Sequence, residues 1–302
     1  MRGQRPLESK PAPSDVGLER RRRRRAVGAA IIGLTLVGSF IAISHRRTGL
    51  GPSSPSASPG AGSRGADPAL TLAFAGVPDW NWIEAERQAR KGVELAPGWV
   101  AARLQLGGLL IRTGRFDEGL DELERARKID SGSPGINDAL ASGYYWARRY
   151  EQAVATHRRT LKADPRFTRA HLGLAFAYLQ QSKADEALAE GLAAVDPQTD
   201  SVEAAELGYV FAAAGKKDQA LKIADRLAGQ DGRAAARPGL AYPLGVICAA
   251  LGMRDPAFAW FEKAYAGDSP EIAVFKIDPR LYDLRGDPRY LDLVKRLKIP
   301  KN

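Results

Sequence analysis

From about residue 100 to residue 264 the chain repeats itself with a period close to 34 residues, and a repeat of that length leaves few folds open. Small residues recur at Gly107, Ala141, Ala175, Gly208 and Gly245, at spacings of 34, 34, 33 and 37. Three further series keep the same spacings. They are Gly119, Ala153, Ala187, Ala220 and Ala257; Ala126, Thr160, Ala194, Leu227 and Ala264; and the bulky set Leu110, Tyr144, Tyr178, Phe211 and Cys248. Shared offsets across four series are hard to obtain by accident. Such a unit is too short to bury an apolar face alone, so neighbouring units must stack.

The period and its contents resemble the tetratricopeptide repeat, a helix-turn-helix unit of about 34 residues. The resemblance implies an all-α solenoid over residues 69–271, with units near 100–133, 134–167, 168–200, 201–237 and 238–271. A small residue in each first helix lets the second helix approach closely. Gly114, Gly215 and Gly252 fall where the chain turns between them, since glycine tolerates a positive φ past a helix end. Phe116-Asp117-Glu118, Tyr150-Glu151-Gln152 and Lys217-Asp218-Gln219 open second helices with acidic residues, which suit a helix N-terminus. Residues 69–97 read as a degenerate first unit whose second helix runs from Trp80 to Leu95.

The net charge of +10 invites a nucleic-acid reading until its location is seen. Residues 1–47 carry eleven basic and three acidic residues, whereas the rest of the chain carries 34 and 32. The repeats are therefore almost neutral, and no nucleic-acid partner is expected. The six arginines Arg20 to Arg25 abut AVGAAIIGLTLVGSFIAIS, residues 26–44, nineteen residues without a charge. A helix of that length spans roughly 28 Å, enough for a bilayer core. The expectation is a basic cytoplasmic tail (1–25), a single transmembrane helix (26–44), a Gly/Ser/Pro-rich linker (45–68) and an extracytoplasmic, periplasmic solenoid. The arginine bias sets the orientation. A cleaved signal peptide ending at Ala42-Ile43-Ser44 is the competing reading, but the apolar run exceeds the 7–15 residues of a signal core. Ala29/Gly33 and Gly38/Ala42 would let two such helices pack. In a Gly/Ala-rich span such pairs arise by chance, so oligomerisation has no firm support.

After the last unit, Asp278-Pro279-Arg280 and Asp287-Pro288-Arg289 repeat nine residues apart. Asp at an N-cap followed by Pro at the first helical position is a helix-start signal. A short helix from Pro288 to about Leu297, with Tyr290, Leu291, Val294 and Leu297 on one face, would close the open end, making residues 272–302 a capping segment. Together with DWNWIEAERQARKGVELAP and the five units, this tail resembles the extracytoplasmic region of membrane-tethered bacterial regulators of the CadC-like kind. Those proteins carry a DNA-binding domain on the cytoplasmic side, and the 25 residues before the apolar run are too few for one.

No phosphate loop, nucleophile elbow or Ser/His/Asp arrangement is present, so no enzyme, metal or cofactor is expected. His157 and His171 fall at core-facing repeat positions without further ligands, and Cys248 takes a core position. The acidic run Asp117, Glu118, Asp121, Glu122 and Glu124 alternates with Arg125, Arg127 and Lys128 and reads as a solvated face. What remains is the concave groove formed by the first helices. Helical spacing places Arg112, Asp138, Tyr145, Trp146, Arg169, Phe176, Gln180, Tyr209 and Tyr242 along it. Exposed aromatics in a groove are typical anchors for a peptide. The expected function is a membrane-anchored scaffold for protein or peptide binding, with a signalling sensor as the alternative.

Overall fold

The computed structural model describes residues 80–229, 239–267 and 269–300. The basic tail, the apolar segment 26–44 and the linker 45–68 lie outside the described residues. Among the described residues no helix is long and apolar enough to cross a membrane.

The described chain is all-helical. Helix α1 (Trp82–Leu95) precedes five helical hairpins: α2 (Val100–Arg112) with α3 (Phe116–Ile129), α4 (Pro134–Trp146) with α5 (Tyr150–Ala163), α6 (Thr168–Gln180) with α7 (Ala184–Ala194), α8 (Val202–Ala213) with α9 (Lys217–Ala228), and α10 (Ala241–Ala250) with α11 (Arg254–Ala266). Two 3-10 turns, Pro270–Val274 and Pro279–Leu284, and helix α12 (Pro288–Arg296) complete the chain. The hairpins stack in order, each helix packing on the next, as expected of a tetratricopeptide-type solenoid.

Each periodic series has a physical task. Gly107 and Gly119 face each other: a Cβ on either would lie 2.9 Å or less from the other's carbonyl oxygen, so α2 and α3 touch backbone to backbone. In the other hairpins the equivalents are fully buried alanines or glycines: a Cβ at Gly208 would lie 2.7 Å from Ile247, and one at Gly245 would meet the Phe261 ring at 2.5 Å. The bulky series does more than fill space. The carbonyls of Leu110, Tyr144, Tyr178, Phe211 and Cys248 accept the backbone N–H five residues on, at 2.8–2.9 Å. That bond ends the first helix in a Schellman turn. The turn requires a left-handed residue, and Gly114, Gly215 and Gly252 occupy it at φ +90°, +77° and +76°. Arg148 and Ser182 hold the same position at +62° and +59° without the freedom of glycine.

Gly173 serves a different need. The His157 imidazole of α5 lies against it, and a Cβ there would fall 2.1 Å from Nε2.

Two substitutions separate these causes. Nothing lies within 4 Å of a Cβ added at Gly215, so Gly215→Ala meets only the left-handed backbone and should cost about 1 kcal/mol. Gly173→Ala meets a ring in a closed interior and should cost about 2 kcal/mol. Urea denaturation of both variants measures the pair.

Candidate functional site: the concave face and the segment lying on it

The groove expected to stand open is occupied by the chain's own C-terminal segment. After α11 the backbone does not stop at the end of the stack as a cap would. It returns along the face formed by the first helices. Val274 and Ile277 pack into a cluster with Ile111, Leu120, Leu123 and Leu140 of the first two hairpins. Phe275 stacks on Tyr290 at 4.7 Å and meets Phe261 edge-on at 5.0 Å. The Trp82 indole N–H donates to the Leu297 carbonyl at 2.7 Å, so the first helix rests on the end of the tail. A helix does form at Pro288–Arg296, with Asp287 at its N-cap, and it packs on α11 of the last hairpin, where Arg289 bonds Asp255 and Arg296 bonds Glu262. A cavity of about 420 Å³ opens beside it, lined by Trp80, Asn81, Trp82, Ile83, Lys298 and Pro300.

At the centre of the face lies Arg280. Its guanidinium carbon sits 5.7 Å from the Trp146 ring, 5.3 Å from Phe176, 5.3 Å from Tyr209 and 6.0 Å from Tyr242. These rings come from α4, α6, α8 and α10, so four consecutive hairpins contribute one wall each. The rings also hold one another: Phe176 meets Tyr209 edge-on at 5.7 Å, and Tyr145 meets Trp146 at 5.0 Å. Desolvated cation–π contacts of this kind are worth about 2 kcal/mol or more.

The charge of Arg280 is answered within its own turn. Its Nη2 bonds the Asp278 carboxylate at 2.6 Å and its Nε bonds it at 2.9 and 3.0 Å, while the Tyr242 hydroxyl donates to the same carboxylate at 2.7 Å. The Asp278 side chain is 0% exposed and that of Arg280 7%. Burial works against the arginine's charge, but Asp278, with Tyr145 and Tyr242, outweighs it and raises the pKa. Burial first, then the Asp278 charge, pushes the Tyr242 phenol well up. The Tyr145 hydroxyl faces the same pair, buried and without a hydrogen-bond partner among the described residues.

A second polar layer lies beside the first. Arg169 donates to the buried Asp138 carboxylate at 2.7 Å. Burial raises the pKa of Glu206, with Arg169 and Arg280 opposing it. His157 is fully enclosed, and burial pushes its imidazole down to about 4, Asp138 opposing and Arg169 adding to the shift.

The nine groove residues read from the sequence do share one face, but not as an open one. Tyr145, Tyr209, Tyr242 and Asp138 are buried, Trp146, Phe176, Arg112 and Gln180 are half-buried, and Arg169 is exposed. Trp146, Phe176, Tyr209 and Tyr242 converge on Arg280; Arg112 faces Glu271 of the returning segment; Gln180 accepts from the Tyr150 hydroxyl at 3.3 Å. Helical spacing reports which face a side chain takes and is silent about what lies on that face. The signal that could have revealed it was the doubled Asp-Pro-Arg, whose charges demand partners once buried.

Other expectations need local correction. Glu122 is not solvated: Arg103 of α2 reaches it at 2.7 Å with both side chains 12% exposed. His171 is not in a helix–helix core but bridges Glu190 and the Pro165 carbonyl at 2.6 and 3.0 Å. Cys248 is buried, and burial first, then the Asp225 charge, pushes its thiol up to about 11. Among the described residues no group of three or more His, Cys, Asp or Glu is placed to hold a metal.

Residues 139–202 match the tetratricopeptide repeat family. Among solved structures, the chain is similar to a tetratricopeptide repeat protein from Parabacteroides merdae at 18% identity, covering 78% of this chain and 93% of that one, with a TM-score of 0.46. It is also similar to pilF of Pseudomonas aeruginosa at 18% identity, covering 75% and 95%, with a TM-score of 0.45. A third is YrrB, a tetratricopeptide repeat protein with an unusual peptide-binding site, at 19% identity, covering 68% and 97%, with a TM-score of 0.37. A search of curated proteins finds no match.

The buried imidazole makes a pH prediction. Below pH 6.5 the unfolded chain takes up a proton at His157 that the folded chain refuses until about pH 4. Acid therefore favours unfolding, and stability should fall by about 3 kcal/mol from this group as pH drops from 6.5 to 4. Denaturant midpoints across that window should show the loss in the wild type and a shallower slope in His157→Gln.

Proposed function

We propose that this chain is a non-catalytic protein-interaction module, a scaffold for an envelope complex, which residues 26–44 tether to a membrane with the solenoid outside the cytoplasm. Its concave face receives a segment of a partner protein. One observation carries the binding reading: that face already holds a peptide segment, the chain's own, by stacking a guanidinium among four rings and satisfying a carboxylate. Stacked helical hairpins present this kind of elongated inner surface because each unit adds one side chain to a common line. Aromatic and arginine side chains are the groups that dominate binding energy at protein interfaces.

The tether reading rests on the uncharged nineteen-residue run and the six arginines before it. An alkaline phosphatase fused after Gly65 should be active in cells, and an inactive fusion would overturn the placement of the solenoid. A sensor acting on a separate cytoplasmic effector is the second reading, favoured by the resemblance to CadC-like regulators and by the basic segment.

Crosslinking in intact membranes followed by pull-down of the full chain tests the binding reading. The wild type should recover a partner that the Tyr145→Ala/Trp146→Ala variant loses while keeping its helical circular dichroism. Equal recovery from both would contradict it.

A further inference from the structure

We propose that the four-ring cage is a binding site for an Asp-Pro-Arg turn of a partner protein, and that residues 278–280 are a resident copy of that ligand. This rests on the concave face being the recognition surface, and it names the chemistry that face selects.

Three observations point to a recognition site rather than to ordinary core. The first is the charge. A closed interior gains nothing from an ion pair that apolar side chains of similar volume could replace, since the desolvation cost offsets the attraction. Yet Asp278 and Arg280 sit at the innermost point of the face. A segment that must be stable both in the cage and in water has reason to keep them.

The second is the duplicated turn. In both copies the aspartate accepts from the arginine backbone N–H two residues on, at 2.9 Å for Arg280 and 3.0 Å for Arg289. In both it also accepts from that arginine's Nη2, at 2.6 and 2.8 Å. The copy at 287–289 makes the same turn outside the four-ring cage, with the Asp287 side chain 9% exposed and that of Arg289 45%. The same internal bonds form in two different surroundings, so the turn's own hydrogen bonds set the direction of its guanidinium, which lowers the entropic cost of binding. Arg289 repeats the chemistry in small: it lies 4.2 Å over the Phe258 ring and bonds Asp255 at 2.7 Å.

The third is an unused donor. The Tyr145 hydroxyl is buried beside Asp278 and Arg280 and has no partner among the described residues. The resident turn thus leaves the cage incompletely matched, and an incoming segment carrying one more acceptor would match it better. A buried donor left unpaired costs about 1–3 kcal/mol, a margin that a competing ligand can use.

A partner segment competes with a tail whose tethering gives it an effective concentration in the millimolar range, so the resident copy must be weakened to see the exchange. In the full chain, D278A/R280A removes both charges together and leaves no unpaired carboxylate. The probe is a fluorescent peptide of residues 274–285, followed by anisotropy. The double variant should bind it at least tenfold more tightly than the wild type does, and the same peptide with Ala in place of its Arg should bind at least tenfold more weakly. A folded double variant that binds neither peptide, or both alike, would overturn the proposal. If the double variant does not fold, R280K takes its place: the peptide should raise its Tm, and an unchanged Tm counts against the site. Exchange of tails between two copies, seen as a dimer of the wild type that the double variant loses, would support the same site with a second copy as donor. The two readings fail separately. A partner recovered in the pull-down while the peptide fails in every variant retains the scaffold and removes the cage as its ligand site.

Discussion

A single buried cation organises the inside of this solenoid. Arg280 stands where four hairpins meet, and each hairpin reaches it with one aromatic ring. A stack of helical pairs has contacts only between neighbours, so its curvature is set by small rotations that no single interface fixes firmly. A guanidinium touching α4, α6, α8 and α10 at once adds a contact that skips units. It ties the curvature to one point, and Asp278 keeps that point electrically neutral where water cannot.

From that point the tail spreads in both directions. Val274 and Ile277 reach the first two hairpins, Tyr290 donates to the carbonyls of Phe275 and Lys276, and Leu297 meets Trp82 of α1. First and last elements therefore share one interior. Helix α12 covers α11 of the last hairpin, while Val274, Ile277 and Arg280 give partners to inner faces along the stack, and the aromatic strip is buried for that reason.

The repeat was readable because packing imposes it residue by residue. A small side chain is needed wherever two helices touch, and a bulky one where the Schellman bond closes the first helix, so both recur at the period of the fold. Arg148 and Ser182 escaped notice as turn residues because the left-handed position is usually marked by glycine, and here the hydrogen bonds of the turn impose it without one. The inner face was readable only as a set of residues. Trp146, Phe176, Tyr209 and Tyr242 fall on it by helical spacing, but their partner lies 38 to 134 residues away in sequence, at Arg280. No periodicity links a tail to a groove. Asp278-Pro279-Arg280 announced a helix start, which it is, and gave no sign of whether the turn would face water or four rings.

Amide hydrogen exchange of the full chain with and without R280A tests the organising role of this residue most directly. If Arg280 ties the hairpins together, its loss should raise exchange at once in α1, α4, α6, α8, α10 and the tail, while the Schellman turns stay protected. Faster exchange confined to the turn around residues 278–285, with the hairpins unchanged, would contradict the account.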